Sequence, residues 1–437
     1  MFSCSGWFGT PELEGVPRIT GDRLAFIAVV TYALVVFALR REPLGRPGLS
    51  EAGLWLVAVI AATSGIIFGA FLSGYRGSSI GILFNFVLFP AVFYSLLRRT
   101  RYSERGTARL CLLLTLFGAY LGTTAILERT SLTWLLVPPE IGDPQIAQHW
   151  GRARGPFLQA EFNGAVMVLL LPVVVFLRNI GTRVGQIIAL LTVPLLCVGV
   201  YLTETRAAIL SLGVVLVLGA SFRHPARPFY RGLCLLVCAA SVLLLVSGGI
   251  VIPRLDEITP LYDRVNLLLV TSGMIAEHPV VGVGFGNFDR YQQDFFFRPR
   301  AFGSLSAPAA AGFYAGGTHN TLLTPMAELG MVVGGLYLLL VGWSIASAFV
   351  KMRTAARRMP PGYEAGLAMC GLLVGVGFVI NAFFVELRFT PTPSALLWIF
   401  MGLVQGAGIR STQAGVGLPG ANRSDLQRAT QSQPLPT

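Results

Sequence analysis

Residues 161–177 read EFNGAVMVLLLPVVVFL, an apolar run long enough to cross the core of a lipid bilayer as one helix. Similar runs recur along the chain of 437 residues, and none alternates apolar and polar residues as a transmembrane β-strand does. Hydrophobic residues make up 54% of the chain and charged residues 12%, whereas a soluble domain has about 25% charged residues. The sequence therefore predicts an all-α, polytopic transmembrane helical bundle.

About 11–12 spans are expected, the twelfth being an extra span or a re-entrant segment near the N-terminus. The eleven clear runs cover about residues 24–40, 53–73, 78–97, 107–127, 161–177, 184–202, 207–222, 230–249, 320–349, 364–386 and 392–409. We thus predict an N-terminal segment at 1–23, helices at 24–249, a large external loop containing helices at 250–318, further helices at 319–410 and a disordered cytoplasmic tail at 411–437.

Basic residues cluster after the odd-numbered spans and give the expected orientation. By the positive-inside rule these connections are cytoplasmic, which places the N-terminus outside and the C-terminus inside. The net charge of +12 therefore indicates membrane topology and no nucleic-acid partner. The clusters include Arg40, Arg41, Arg98, Arg99, Arg178, Arg183, Arg223, Arg227, Lys351 and Arg353.

The long polar interval from Arg264 to Gly330 is where function is expected. Residues 260–276 have the pattern of an amphipathic helix, which can lie in the membrane interface. Arg264 on this helix can meet a phosphate group, or it can simply extend its charge to the interface. His278 precedes Pro279 and should end the helix, because proline disfavours helical geometry in the residue before it.

Three glycines follow at alternate positions and allow the backbone to approach another segment or a ligand closely. They are Gly282, Gly284 and Gly286.

His319 and Asn320 stand where the chain re-enters the membrane. A histidine at a helix N-terminus beside a bound anion is a candidate general base, and a pair of capping residues is the alternative. Glu328 lies deeper, and carboxylates within a membrane are usually functional. Nine residues separate it from His319, so only a break at Pro325 would bring the two side chains together. Otherwise Glu328 braces a neighbouring helix.

Further arginines lie at the same predicted external face. Arg206 opens a span after a very short link and can bind phosphate or pair with Glu204. Arg152 and Arg154 form a second polar cluster before the fifth span. The cysteine spacing indicates no disulfide or zinc site, and no acidic pair suggests another metal. We therefore expect no metal and no cofactor, with arginines stabilising any phosphate.

Three of these motifs resemble the bacterial O-antigen ligase and polymerase superfamily. They are HPVVGVGFGNF at 278–288, HNT at 319–321 with ELG at 328–330, and the TR step at 205–206. The resemblance implies an inverting, metal-independent glycosyltransferase with its active site on the periplasmic face of the inner membrane. Its donor would be a glycan linked to undecaprenyl diphosphate.

The resemblance also implies the roles of individual residues. His319 would activate the acceptor hydroxyl, with Glu328 as a second catalytic candidate. Arg206 and Arg264 would hold the diphosphate, with Arg154 as a third candidate. His278, Asn320 and Arg152 are further candidates for the site.

The identity of the acceptor stays open at this point. A ligase would use the lipid A core, and a polymerase would use a second lipid-linked glycan. A transporter of a small anion or of a lipid-linked glycan is the alternative from another class, although Glu328 is the only ionisable residue expected deep in a span. A non-catalytic scaffold would leave the external arginines without a role.

Overall fold

The computed structural model describes residues 48–71, 80–99, 103–145, 150–246, 259–296, 319–357 and 362–416. Within these ranges all regular structure is helical, which confirms the all-α prediction. The predicted first span, the N-terminal segment, much of the long loop and the tail beyond residue 416 lie outside the described residues.

The helices are numbered here in chain order. They are α1 (Leu49–Phe71), α2 (Ile80–Arg99), α3 (Glu104–Arg129), α4 (Ala160–Ile180), α5 (Arg183–Leu202), α6 (Arg206–Ser221), α7 (Arg227–Val246), α8 (Thr259–Glu277), α9 (Phe288–Phe296), α10 (Thr324–Ala356), α11 (Tyr363–Phe384) and α12 (Pro391–Val416). Among the described residues, seven helices are long and apolar enough to cross a membrane, namely α1 to α5, α10 and α11, and α6 is a shorter apolar helix.

Helix α4 is the centre of the bundle, and almost all of its side chains are buried among α3, α5, α6 and α11. Glycines let the surrounding helices approach one another closely, as is common between membrane helices. Gly122 of α3 lies against Leu195 of α5, and Gly164 of α4 lies against Ala208 of α6. The apolar stretch at 161–177 therefore forms the core of the fold.

The helices alternate in direction, so their ends fall into two groups. At one end, Arg98 and Arg99 both lie 2.5 Å from the carboxylate of Glu51, and the Lys351 ammonium donates to the Val404 carbonyl over 2.9 Å. This basic end collects the connections that the charge pattern predicts to be cytoplasmic. Which side of a membrane it faces stays a prediction.

The opposite end, called here the motif end, contains the ends of α3, α5 and α11 and the starts of α4, α6, α10 and α12. Backbone hydrogen bonds join these links, for example from Ala153 to the Leu202 carbonyl (3.0 Å) and from Thr321 to the Ala382 carbonyl (2.8 Å). All three sequence motifs lie here, so the fold brings together segments that are more than 100 residues apart.

Part of the long loop is described as two helices packed on α10. Helix α8 matches the predicted amphipathic helix and ends at Glu277, immediately before His278, as expected. A small hydrophobic cluster joins α8 and α9 to α10 and includes Met274, Phe288 and Ala327. The loop is therefore built onto the bundle in this region.

Candidate functional site at the motif end

Helix α10 is interrupted at Gly330, six residues after it begins at Thr324. Gly330 has φ 81° and ψ 168°, a conformation outside the helical region that favours glycine. The Met331 N–H therefore misses the Ala327 carbonyl, its partner in a regular helix, and donates instead to the Pro279 carbonyl over 2.8 Å. A Cβ at position 330 would overlap the Val280 carbonyl, so the approach requires glycine.

The glycine motif uses the carbonyl groups that this break releases. The Val283 N–H donates to the Ala327 carbonyl (2.9 Å), and the Gly284 N–H donates to the Glu328 carbonyl (3.0 Å). Gly282, at φ 69°, lies so close to the Glu328 backbone that a side chain would overlap it. The predicted close approach is confirmed, and its partner is the start of α10.

The break corrects the expected relation between the two candidate catalytic residues. Pro325 is at the first turn of α10, where its missing N–H does no harm, and the distortion is at Gly330 instead. His319 contacts Glu161, whereas Glu328 contacts Arg388. The structure therefore places His319 and Glu328 in separate interactions.

Glu328 belongs to a buried ionic cluster. Arg388, in the link between α11 and α12, donates from Nη1 to Glu328 (2.6 Å) and from Nε to Glu386 (2.7 Å). The hydroxyl of Thr324 donates to the second oxygen of Glu386 over 2.8 Å. Burial lowers the pKa of the Arg388 guanidinium, but the two carboxylates raise it above its ordinary value, so the cation persists.

This cluster favours the bracing interpretation of Glu328 over the catalytic one. The other carboxylate oxygen of Glu328 accepts from the Phe288 N–H at the start of α9 (3.3 Å). Neither Glu386 nor Arg388 is among the sequence-based candidates, although both are charged residues between two apolar spans. The bond from Arg388 to Glu328, 60 positions away in the sequence, depends on the fold.

His319 is the accessible histidine of the HN motif. Its side chain is 39% exposed, and its Nδ1 lies 3.9 Å from the Glu161 carboxylate in the first turn of α4. The residue has φ 50°, so the backbone turns sharply where it enters the bundle. His319 was expected at the N-terminus of a helix. Helix α10 begins only at Thr324, so His319 instead lies in the segment that precedes the helix.

Asn320 has the capping role that was the alternative interpretation. Its side-chain oxygen accepts from the N–H groups of Leu322 and Leu323, both at 3.1 Å, and closes the turn before α10. The Thr321 hydroxyl donates to the Val385 carbonyl over 2.7 Å. The HN motif is thereby held against the end of α11 while the histidine side chain stays partly exposed.

Arg154 is not available to hold a diphosphate, which corrects its expected role. Its side chain is fully buried and donates from Nε to Glu128 (3.1 Å) and from Nη2 to the carbonyls of Ile141 (2.8 Å) and Asp143 (3.3 Å). The guanidinium also lies 4.7 Å from the ring of Trp150. These contacts fasten the α3–α4 connection to the end of α3.

Arg152 holds the short link that precedes α6. Its guanidinium donates from Nε to the Thr203 carbonyl (2.8 Å) and from Nη2 to the Thr205 hydroxyl (2.8 Å). Glu204 in this link has φ 50°, and its carboxylate lies 3.2 Å from Arg129. The interactions of Arg152 therefore position the link rather than present a free cation.

Arg206 and Arg264 remain the arginines best placed to meet a ligand. Arg206 is the first residue of α6 and is half-buried. Arg264 on α8 is also half-buried, and its guanidinium lies 5.7 Å from the ring of Phe384 at the end of α11. His319 enters the bundle beside the same end of α11, so two helices and the segment before α10 bring two arginines and a histidine to the motif end.

His278 is exposed at the end of α8, and its ring packs edge to face against Phe295 of α9 at 6.3 Å. This contact gives it a packing role. Among the described residues, no group of three histidine, cysteine, aspartate or glutamate side chains is arranged to hold a metal ion.

No protein-family model matches the chain, and no curated protein sequence matches it. The resemblance to the O-antigen ligase and polymerase superfamily therefore rests on the three sequence motifs alone and stays a prediction.

Proposed function

We propose that the chain is an inner-membrane glycosyltransferase that moves a glycan from undecaprenyl diphosphate to an acceptor hydroxyl on the periplasmic face. The observation that carries the proposal is the accessible His319, which faces the Glu161 carboxylate and lies at the same end of the bundle as Arg206 and Arg264. This combination offers a proton acceptor and two cations to a phosphate-bearing lipid substrate.

In the proposed reaction, His319 takes the proton from the acceptor hydroxyl. The resulting oxygen forms a bond to the anomeric carbon of the donor sugar while the bond from that carbon to the diphosphate oxygen breaks, with inversion. Undecaprenyl diphosphate leaves with the electron pair, and Arg206 and Arg264 stabilise its developing charge. The Glu161 carboxylate lies 3.9 Å from His319 Nδ1, where it can orient the imidazole, as a carboxylate does beside a catalytic histidine.

An O-antigen ligase that uses the lipid A core is the first form of this proposal. A polymerase would carry out the same chemistry on a second lipid-linked glycan, so the acceptor separates the two. The transporter alternative is less well supported, because Glu328 is bonded to Arg388 and to the start of α9, and these contacts fix it within the fold at the motif end.

The test uses the purified protein with a defined undecaprenyl-diphosphate glycan, EDTA, and either the lipid A core or a second lipid-linked glycan. Transfer to the core identifies a ligase, and a ladder of lengthening lipid-linked products identifies a polymerase. We expect His319→Ala to lower turnover by about 10²–10⁴-fold. His278→Ala, a change at the other exposed histidine of the motif end, should leave turnover within a few-fold of wild type.

Arg206→Gln and Arg264→Gln should each lower turnover by about 10²–10³-fold, the usual cost of losing one preorganised charge-stabilising group. Arg290→Gln, on the exposed side of α9, is the matched control. Full transfer by correctly inserted His319→Ala protein would overturn the proposed mechanism. If wild type transfers glycan to neither acceptor, the transporter becomes the better-supported function.

A further inference from the structure

The connection between α3 and α4 carries an apolar surface that no described residue covers. This surface follows the end of α3 and includes the 3-10 turn at Thr133–Leu135. We call residues 132–137 the ledge. Its exposed apolar side chains are Leu132, Trp134, Leu135 and Val137, with exposed fractions of 41%, 78%, 44% and 62%.

The ledge folds back along α3 instead of extending beyond the end of the bundle. The hydroxyl of Tyr120 donates to the Val137 carbonyl over 2.5 Å. Tyr120 lies nine residues before Arg129, the last residue of α3, which is about 13 Å along the helix axis. Side chains on a helix also tilt toward its N-terminus, so this bond draws Val137 down toward the level of the membrane.

The surface that receives the ledge is the side of α3 that faces lipid. Leu113, Leu116 and Tyr120 lie three to four residues apart and so share one face of the helix. Leu113 is 66% exposed and Leu116 is 47% exposed, although α3 is one of the helices able to cross a membrane. The ledge therefore continues an exposed apolar stripe that already requires lipid around it.

The polar side of the same connection faces the protein. The buried guanidinium of Arg154 binds the carbonyls of Ile141 and Asp143 and is itself paired with Glu128. Thr133 packs against Gly142 and so joins the ledge to this bonded turn. The carbonyls of Ile141 and Asp143 are thus fixed inward, whereas the four apolar side chains of the ledge, including a tryptophan, are exposed.

We infer that the ledge is inserted into the bilayer at the boundary between the lipid headgroups and the acyl chains, with Trp134 in contact with phospholipid. Tryptophan is enriched at this depth because its ring is apolar and its N–H can still bond to the headgroup region. If the ledge lay in water, four neighbouring apolar side chains would be exposed to solvent next to the lipid-facing stripe of α3. The inference does not depend on the proposed enzymatic function.

The test measures the surroundings of a spin label at position 134 in protein reconstituted into phospholipid nanodiscs. Trp134→Cys is prepared in a background in which the native cysteines are replaced, and its accessibility to oxygen and to a water-soluble nickel chelate is compared. Glu140→Cys, in the polar turn of the same connection, is the reference for water. Leu339→Cys, 72% exposed on α10, is the reference for lipid.

We expect the ratio of oxygen to nickel accessibility at position 134 to be several-fold higher than at 140 and close to that at 339. A ratio equal to that at 140 would overturn the inference. Low access to both reagents together with dipolar broadening between labels would assign the ledge to contact with a second copy and would also overturn it.

A second measurement avoids the cysteine substitutions. The fluorescence of the wild type is compared with that of Trp134→Phe in bilayers whose lipids carry bromine close to the headgroup or close to the chain end. We expect the headgroup-proximal bromine to quench wild type more than Trp134→Phe. Equal quenching of the two proteins would overturn the inference.

Discussion

Replacing Arg388 by methionine tests whether the buried ionic cluster holds the motif end together. Methionine keeps much of the side-chain volume but removes the cation that bonds to both Glu328 and Glu386. The exposed fractions of these glutamates are only 1% and 3%, so two carboxylates would be left close together, buried and without their partner.

Removal of one partner from a buried ion pair costs about 3–5 kcal/mol, and we expect Arg388→Met to fall in this range. Glu328→Gln should cost less, about 1–3 kcal/mol, because Arg388 keeps Glu386. The double variant Arg388→Met/Glu328→Gln should be more stable than Arg388→Met alone, since only one of the two carboxylates that lose Arg388 then remains. The order of the three variants follows from the geometry and does not depend on the absolute values.

The assay follows thermal unfolding in detergent with a maleimide that fluoresces on reaction with a thiol. Cys111 and Cys370 are buried and react only as the bundle opens, whereas the exposed Cys238 sets the initial signal. An unfolding entropy of about 2.1 cal/mol/K per residue corresponds to about 0.9 kcal/mol/K for 437 residues. A loss of 3–5 kcal/mol then lowers the midpoint by about 3–5 °C.

The control is Arg290→Met, which removes an exposed arginine from α9 and should leave the midpoint unchanged. A midpoint for Arg388→Met equal to that of this control would refute the reasoning. So would a double variant less stable than Arg388→Met, because relief of an unpaired buried charge requires the opposite order.

Two further predictions concern the same unfolding measurement. Gly330→Ala should lower the midpoint, because the added Cβ meets the Val280 carbonyl and φ is positive; Gly335→Ala on the same helix, with open space at its Cβ, should leave the midpoint unchanged or raise it. Burial lowers the pKa of His224, in the link between α6 and α7, so the folded protein keeps it neutral. The contribution of neutral His224 to the free energy of unfolding is complete above the unfolded pKa of about 6.5 and is lost as the pH falls below that value. His224→Gln should therefore reduce the dependence of the midpoint on pH in this range.

Each of these two predictions has a clear contrary outcome. Equal midpoints for the two glycine variants would show that the break in α10 is not required. The His224 prediction concerns the difference between the pH profiles of the midpoint for wild type and variant. Parallel pH profiles for the two proteins would contradict it.

Hydropathy and charge were sufficient for much of the fold. Apolar runs identify the described helices that can span a membrane, and the position of Pro279 gives the end of α8 at Glu277. The alternating glycines correctly indicate a close backbone approach. These features are local, since each depends on residues within a few positions of one another.

The contacts that the charged residues make in the folded protein could not be predicted from the sequence in the same way. Arg154 looks like Arg206 in the sequence, but the folded α3–α4 connection surrounds the Arg154 guanidinium with the carbonyl groups of Ile141 and Asp143. Glu328 acquires its partner Arg388 only when the link between α11 and α12 packs against α10. Pro325 was a plausible point for a helix break, yet its place in the first turn makes it harmless.

The exchange of hydrogen bonds at Gly330 also has a consequence for biogenesis. In lipid, backbone groups without partners are costly, so the start of α10 cannot enter the membrane already broken. It must either enter as a regular helix or be paired already with residues 279–284, which precede it in the chain and take up the Ala327 and Glu328 carbonyls and the Met331 N–H. Either way, the loop segment and the start of α10 depend on each other for their backbone hydrogen bonds, and we expect them to finish folding as one unit.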